Sequence, residues 1–155
     1  MSAKQDVIGK LESEYNAFRD QVAGLSEDAY NETWLGEWNL DQLLAHMAGW
    51  WNEMSGAFDR VGRGERPVPE GVDYSDADKW NEGFAAAASH GKAALQAWDD
   101  AFAKYSGAAK SLSEELYGVD PERGRPRIGD RLLDASGLSH FGEHRPQLEE
   151  WLSKR

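Results

Sequence analysis

Apolar residues recur every three or four positions through most of this chain, and that period restricts it to packed amphipathic helices. The last such stretch, residues 130–155, constrains the fold and the chemistry together. Leu133, Gly137, His140, His144, Leu148 and Trp151 fall along one helical stripe. A stripe that faces a core is normally apolar throughout. Here two histidines stand one turn apart in its middle. The H-x-x-x-H spacing stacks both imidazoles on one face, within reach of a single metal ion. The alternative is two part-buried histidines, each bonded to a neighbour.

Three further helices are expected upstream. The first covers about 3–25, with Val7, Leu11, Tyr15, Phe18, Val22 and Leu25 on its apolar face. Ser26-Glu27-Asp28 then reads as the start of a short turn. An aromatic connection with Tyr30, Trp34 and Trp38 leads to Asn39, a good N-cap, with Gln42 completing a capping box. The second helix runs from Leu40 to about Arg60, its buried stripe formed by Leu43, Met47, Trp50, Met54 and Phe58. His46 lies on the same side. Residues 61–75 hold Gly62, Gly64, Gly71, Pro67 and Pro69, a density of breakers that marks a loop. The third helix is expected as one piece from about Asp76 to Tyr105, weakened only slightly by Gly91. Residues 108–129 are irregular, with one helical turn at 112–116. Arg123, Arg125, Arg127 and Arg131 cluster there, read as a solvated ion-pairing loop or, alternatively, an anion contact.

Four amphipathic helices and no convincing strand give an all-α four-helix bundle, a single domain over 1–155. Fully extended, the 61–75 loop reaches more than ~40 Å. That exceeds the ~30 Å of a 20-residue helix, so a long crossover between helices 2 and 3 is permitted.

The chain has no cysteine, so any metal must be held by His, Asp or Glu, and any thiol must come from a cosubstrate. Of the four histidines, His90 follows Ser89 and precedes Gly91 and is read as exposed. If helices two and four are neighbours, His46 completes a three-histidine site with His140 and His144. Three nitrogen ligands leave open positions, as a catalytic metal requires, and zinc or nickel suits nitrogen-only ligands. Trp50, Trp80, Tyr15 and Trp151 read as core, with a pocket lining as the alternative. A formal net charge of −11 argues against nucleic acid and anionic membrane surfaces as partners. No apolar run approaches a ~20-residue membrane span, and no apolar leader is present at the N-terminus, so a cytoplasmic location is expected. A homodimer through apolar outer faces is left open.

The segment WLGEWNLDQLLAHMAGWWNEM resembles the second-helix signature of the DinB-like metal-binding four-helix bundles, and HFGEHRPQLEEWL resembles their fourth-helix signature. The similarity extends over essentially the whole chain in length and order. It implies a bundle with a crossover between helices 2 and 3 and a metal triad at His46, His140 and His144. Asn81 resembles a family asparagine position. With Glu53 and Glu143, it is a candidate for supporting the metal ligands or contacting substrate. The resemblance further implies a divalent-metal-dependent transferase or isomerase that uses a low-molecular-weight thiol, or a hydrolase, acting on a small molecule. A binding or self-resistance protein that sequesters or opens a reactive small molecule, without metal catalysis, is the alternative.

Overall fold

The computed structural model describes residues 2–155. Helix α1 spans Ala3–Val22, opened by a capping box in which Ser2 and Gln5 exchange side-chain and backbone bonds. It ends before Leu25, which folds back after Gly24 so that its N–H meets the Val22 carbonyl. The short α2, Glu27–Asn31, starts at Ser26 as expected. Helix α3, Leu40–Gly62, begins with the expected Asn39–Gln42 capping box and continues two residues past Arg60.

The single third helix expected from the periodicity is in fact two, α4 (Ala77–Ala86) and α5 (Lys92–Ser111). The break has a tertiary cause. Asp41, fully buried on α3, accepts the Gly91 N–H at 2.8 Å, and Gly91 turns the chain at φ +55°. A Cβ there would also run into the Glu27 carboxylate, 1.7 Å away. Ala87 is exposed at this turn.

Contacts along the helices fix their directions. Phe84 lies against Gly49, Asn81 bonds Trp50, and Tyr74 bonds Glu53, so α4 runs antiparallel to α3. Gly91 meets Asp41, Trp98 meets Trp51 and Tyr105 meets Phe58, so α5 runs parallel to α3. The crossover is therefore shared. The loop carries the chain only from the end of α3 back to the level of Glu53, and α4 completes the return. Tyr15 and Arg19 of α1 meet Asp99 of α5, while Lys4 reaches the Lys110 carbonyl, which makes that pair antiparallel.

The fourth bundle helix is one continuous rod of three parts. Helix α6 (Ile128–Leu133) passes through a π-helical segment, Asp134–Leu138, into α7 (Ser139–Ser153). The widened ladder is supported from neighbouring helices. Tyr105 Oη donates to the Leu132 carbonyl and Trp51 Nε1 to the Ser136 carbonyl, both at 2.6 Å. Pro146 sits inside α7. Ahead of this rod a 3₁₀ turn, Glu114–Leu116, occupies the expected helical turn. The arginine loop contains two short strands that the sequence did not suggest. They are β1 (Val119–Asp120) and β2 (Arg125–Pro126), paired antiparallel as Val119–Pro126 and Asp120–Arg125. Arg127 turns inward to donate to the Tyr117 carbonyl at 2.9 Å.

Leu11, Phe18, Leu43, Met47, Trp51, Trp98, Tyr105 and Phe141 interlock in one core between these helices. No helix among the described residues is long and apolar enough to cross a membrane.

Candidate metal centre

The stripe on the last helix is buried along its whole length. His140 and His144 are 9% and 6% exposed, between fully buried Leu133 and Leu148. On α3, His46 is 5% exposed, and its ring lies 4.8 Å from His140 and 5.4 Å from His144, centroid to centroid. Helices two and four of the bundle are therefore neighbours at this level. One ligand nitrogen from each histidine lies within 4.8 Å of the other two.

The hydrogen bonding around these rings fits a cation. His46 Nδ1, His140 Nδ1 and His144 Nε2 are all buried, and none has a hydrogen-bond partner. Such buried polar atoms are rare and call for an explanation. Three rings of one cluster with such atoms are what a jointly bound cation would account for. His144 Nδ1 lies 2.8 Å from Gln147 Oε1. An amide oxygen only accepts, so the proton sits on Nδ1 and the Nε2 lone pair is free. The Gln147 contact is the kind that orients a metal-binding histidine. Gln147 was not singled out from the sequence, although its position three residues past His144 places it on the same face.

Burial keeps His46 and His140 uncharged at neutral pH. It pushes His46 down to about 4, helped by the repulsion of His144 and opposed by the Asn81 side chain. His140 goes down to about 3, first by burial and then by the two neighbouring imidazoles, with the Ser136 carbonyl pulling weakly back. Neutral imidazoles are the form that binds metal.

The triad forms the floor of a cleft of about 520 Å³ that also takes in Trp38, Trp50, Met54, Tyr74, Asn81, Ser139 and Glu143. Two of the three supporting candidates line it directly. Asn81 Oδ1 accepts from Trp50 Nε1 at 2.6 Å, and Glu143 is exposed at the cleft. Glu53 stands behind the wall, where it accepts the Tyr74 hydroxyl at 2.8 Å. The Tyr74 hydroxyl is pushed up to about 12, by burial and then by Glu53. Tyr74 was not anticipated, because it lies in the crossover loop and no helical period points to it. Trp50 belongs to this wall, packed against Tyr74 at 5.5 Å between ring centroids, while Trp80 packs on Tyr74 at 4.9 Å without lining the cleft. Trp151 and Tyr15 take the other reading. Trp151 stacks on Trp34, and Tyr15 stacks between Trp98 and Phe102. His90 is exposed as expected, but its Nδ1 lies 3.1 Å from buried Asp41 at the α4–α5 break, and neither residue lines the cleft.

Residues 11–146 match the mycothiol maleylpyruvate isomerase N-terminal domain family. The chain belongs to that family. Its fold is that of the DinB-like four-helix bundles, shared by three solved structures, each 14% identical to it. A Streptococcus pneumoniae protein aligns over 97% of this chain and 90% of its own with a TM-score of 0.78. DfsB, described as a sibling lethal factor precursor, aligns over 99% and 97%, also at 0.78. The mycothiol-dependent maleylpyruvate isomerase aligns over 96% of this chain at 0.70, and this chain spans 63% of that longer one. No curated protein matches this chain.

Proposed function

We propose that this family member is a divalent-metal-dependent enzyme, with His46, His140 and His144 holding zinc or nickel and the cleft above them receiving a small-molecule substrate. The observation that carries this reading is three buried imidazoles, each with one ligand nitrogen within 4.8 Å of those of the other two. A divalent ion in such an open nitrogen site supplies Lewis acidity, lowering the pKa of a thiol or water. Because the chain has no cysteine, a thiol must arrive as a separate low-molecular-weight cosubstrate. The fold's likeness to a mycothiol-dependent isomerase supports thiol over water.

The chain's own residues do the rest. Gln147 holds the His144 proton on Nδ1, and the hydrophobic burial of His46 and His140 keeps both neutral. Trp50 and Tyr74, fixed by Asn81 and Glu53, form the wall against which a substrate packs. Purified protein should take up one equivalent of zinc or nickel by elemental analysis, and His140→Ala should lose it. Protein that takes up no metal, or whose uptake survives His140→Ala, refutes the reading.

A further inference from the structure

Helix α4 stands outside the core that the other long helices enclose. Among the described residues of 62–90, Ala85 alone is buried, at 5% exposed, and none belongs to the main core cluster. By contrast, α3 buries eleven of its 23 residues and α5 eight of its 20. The stretch is held instead by a separate aromatic group on α3. Tyr74, Trp80 and Phe84 all pack on Trp50, with ring centroids 5.5, 5.9 and 5.4 Å from it. Small satellite clusters of this kind lie under long connections. Three side-chain bonds fasten the stretch to α3: the Tyr74 hydroxyl donates to Glu53 at 2.8 Å, Trp50 Nε1 to Asn81 Oδ1 at 2.6 Å, and Arg60 Nε to the Pro67 carbonyl at 2.8 Å.

Both ends of the stretch suit a hinge. Just past α3, Gly64 has φ +78° and open space where a Cβ would stand. At the far end Asp41 pins the Gly91 N–H, so a movement of α4 is taken up at 87–90 and does not carry α5 with it. The seat between the hinges is close-fitting. Gly49 of α3 lies against Phe84, whose ring atoms come to 2.3 Å from the position of a Cβ there, so only glycine lets the ring settle on α3.

This stretch supplies Tyr74, Ala77 and Asn81 to the cleft, whereas His46, His140 and His144 stand on α3 and α7. Resting on the reading of this cleft as the substrate site, we infer that residues 63–90 are its lid. They lift off α3 as one unit and widen the cleft, while the core and the three histidines stay in place. Opening breaks the aromatic contacts with Trp50 and the three side-chain bonds, but it uncovers none of the main core cluster. Segments with so few buried apolar contacts open at a lower free energy than the molecule unfolds.

Amide hydrogen exchange of the metal-free chain tests this directly. The α4 amides should exchange at least about 100-fold faster than those of α5, with a weaker dependence on urea, because lid opening exposes less surface than unfolding. They should also share one opening free energy, as a unit does. Because the chain has no cysteine, an introduced thiol is a unique second probe. Ala85→Cys places it under the lid, and Ala101→Cys, at a site 3% exposed on α5, places it in the core. The first should react with a chromogenic aromatic disulfide at least about 100-fold faster than the second. Gly49→Ala, which unseats Phe84, should speed α4 exchange about tenfold and leave α5 unchanged. Exchange in α4 as slow as in α5, protection graded from the helix ends as fraying gives, or α4 exchange unaffected by Gly49→Ala overturns the inference. Zinc uptake is scored separately. A parent protein that takes up none sinks the metal reading alone, whereas uptake present in the parent and lost in Gly49→Ala overturns the separation of the lid from the three histidines.

Discussion

Gln147 provides the sharpest test of the metal site, because it touches only the second nitrogen of one ligand. Its Oε1 accepts from His144 Nδ1 at 2.8 Å, which leaves the buried Nε2 lone pair directed at the triad. In Gln147→Leu the acceptor is gone and the proton can sit on either nitrogen, so part of the population presents an N–H where a lone pair is needed. The remaining ring is also less basic and less firmly oriented. Loss of such an orienting partner lowers metal affinity by about 10- to 100-fold, equivalent to about 1.4 to 2.7 kcal/mol. Without metal, the change removes one ordinary hydrogen bond and should lower stability by only about 1 kcal/mol. Gln147→Glu keeps an acceptor and makes it anionic, so zinc affinity should hold or rise. Competition against a chromophoric chelator at pH 7 measures both variants, with circular dichroism checking helicity. Zinc affinity within twofold of the parent in Gln147→Leu, or an equal loss in Gln147→Glu, refutes the assignment of Gln147 as the orienting group.

Other consequences follow from the same geometry. His46 and His140 ionise near 4 and 3 in the folded chain, below the ordinary histidine value of about 6.5. The unfolded chain therefore binds more protons between these values. Their contribution to stability is complete above about pH 6.5 and is lost as pH falls toward 4 and then 3, with about 2 kcal/mol per histidine gone by pH 5. Urea unfolding of metal-free protein at pH 7 and 5 should show this, and His140→Leu should flatten the fall; an equally steep fall in that variant refutes it. Gly137→Ala would place a Cβ 2.6 Å from Leu11 Cδ1 and 3.1 Å from Tyr105 Oη. Overpacking of this kind costs about 1–3 kcal/mol, against roughly 1 kcal/mol gained in helix propensity. The net loss should appear in the urea midpoint and should be accompanied by weaker zinc binding, since His140 lies one turn on. Asp41→Ala leaves the buried Gly91 N–H without its acceptor and should cost about 2 kcal/mol. An unchanged urea midpoint would show that Asp41 does not hold the α4–α5 break.

The amino-acid sequence by itself determined the helices and the candidate ligands. The three- and four-residue period set the faces of α1, α3, α5 and the last helix, and Ser26 and Asn39 marked the starts of α2 and α3, because capping is local chemistry between residues three apart. The absence of cysteine left His, Asp and Glu as ligand types, and two histidines on a core stripe were conspicuous for being polar where burial was demanded. The family resemblance implied that His46 joins them, but no spacing along the chain shows it, since it depends on α3 packing beside α7. The break between α4 and α5 and the π segment before His140 were equally hidden. Each is stabilised by a donor or acceptor from a distant helix, Asp41 on Gly91, Tyr105 on Leu132 and Trp51 on Ser136. Tyr74 reached the cleft by the same route, from a loop whose path is set by the α3 surface it crosses. Periodicity reports which face of a helix is buried; what lies against that face, and whether a distant hydrogen bond bends the backbone there, is decided when the helices pack.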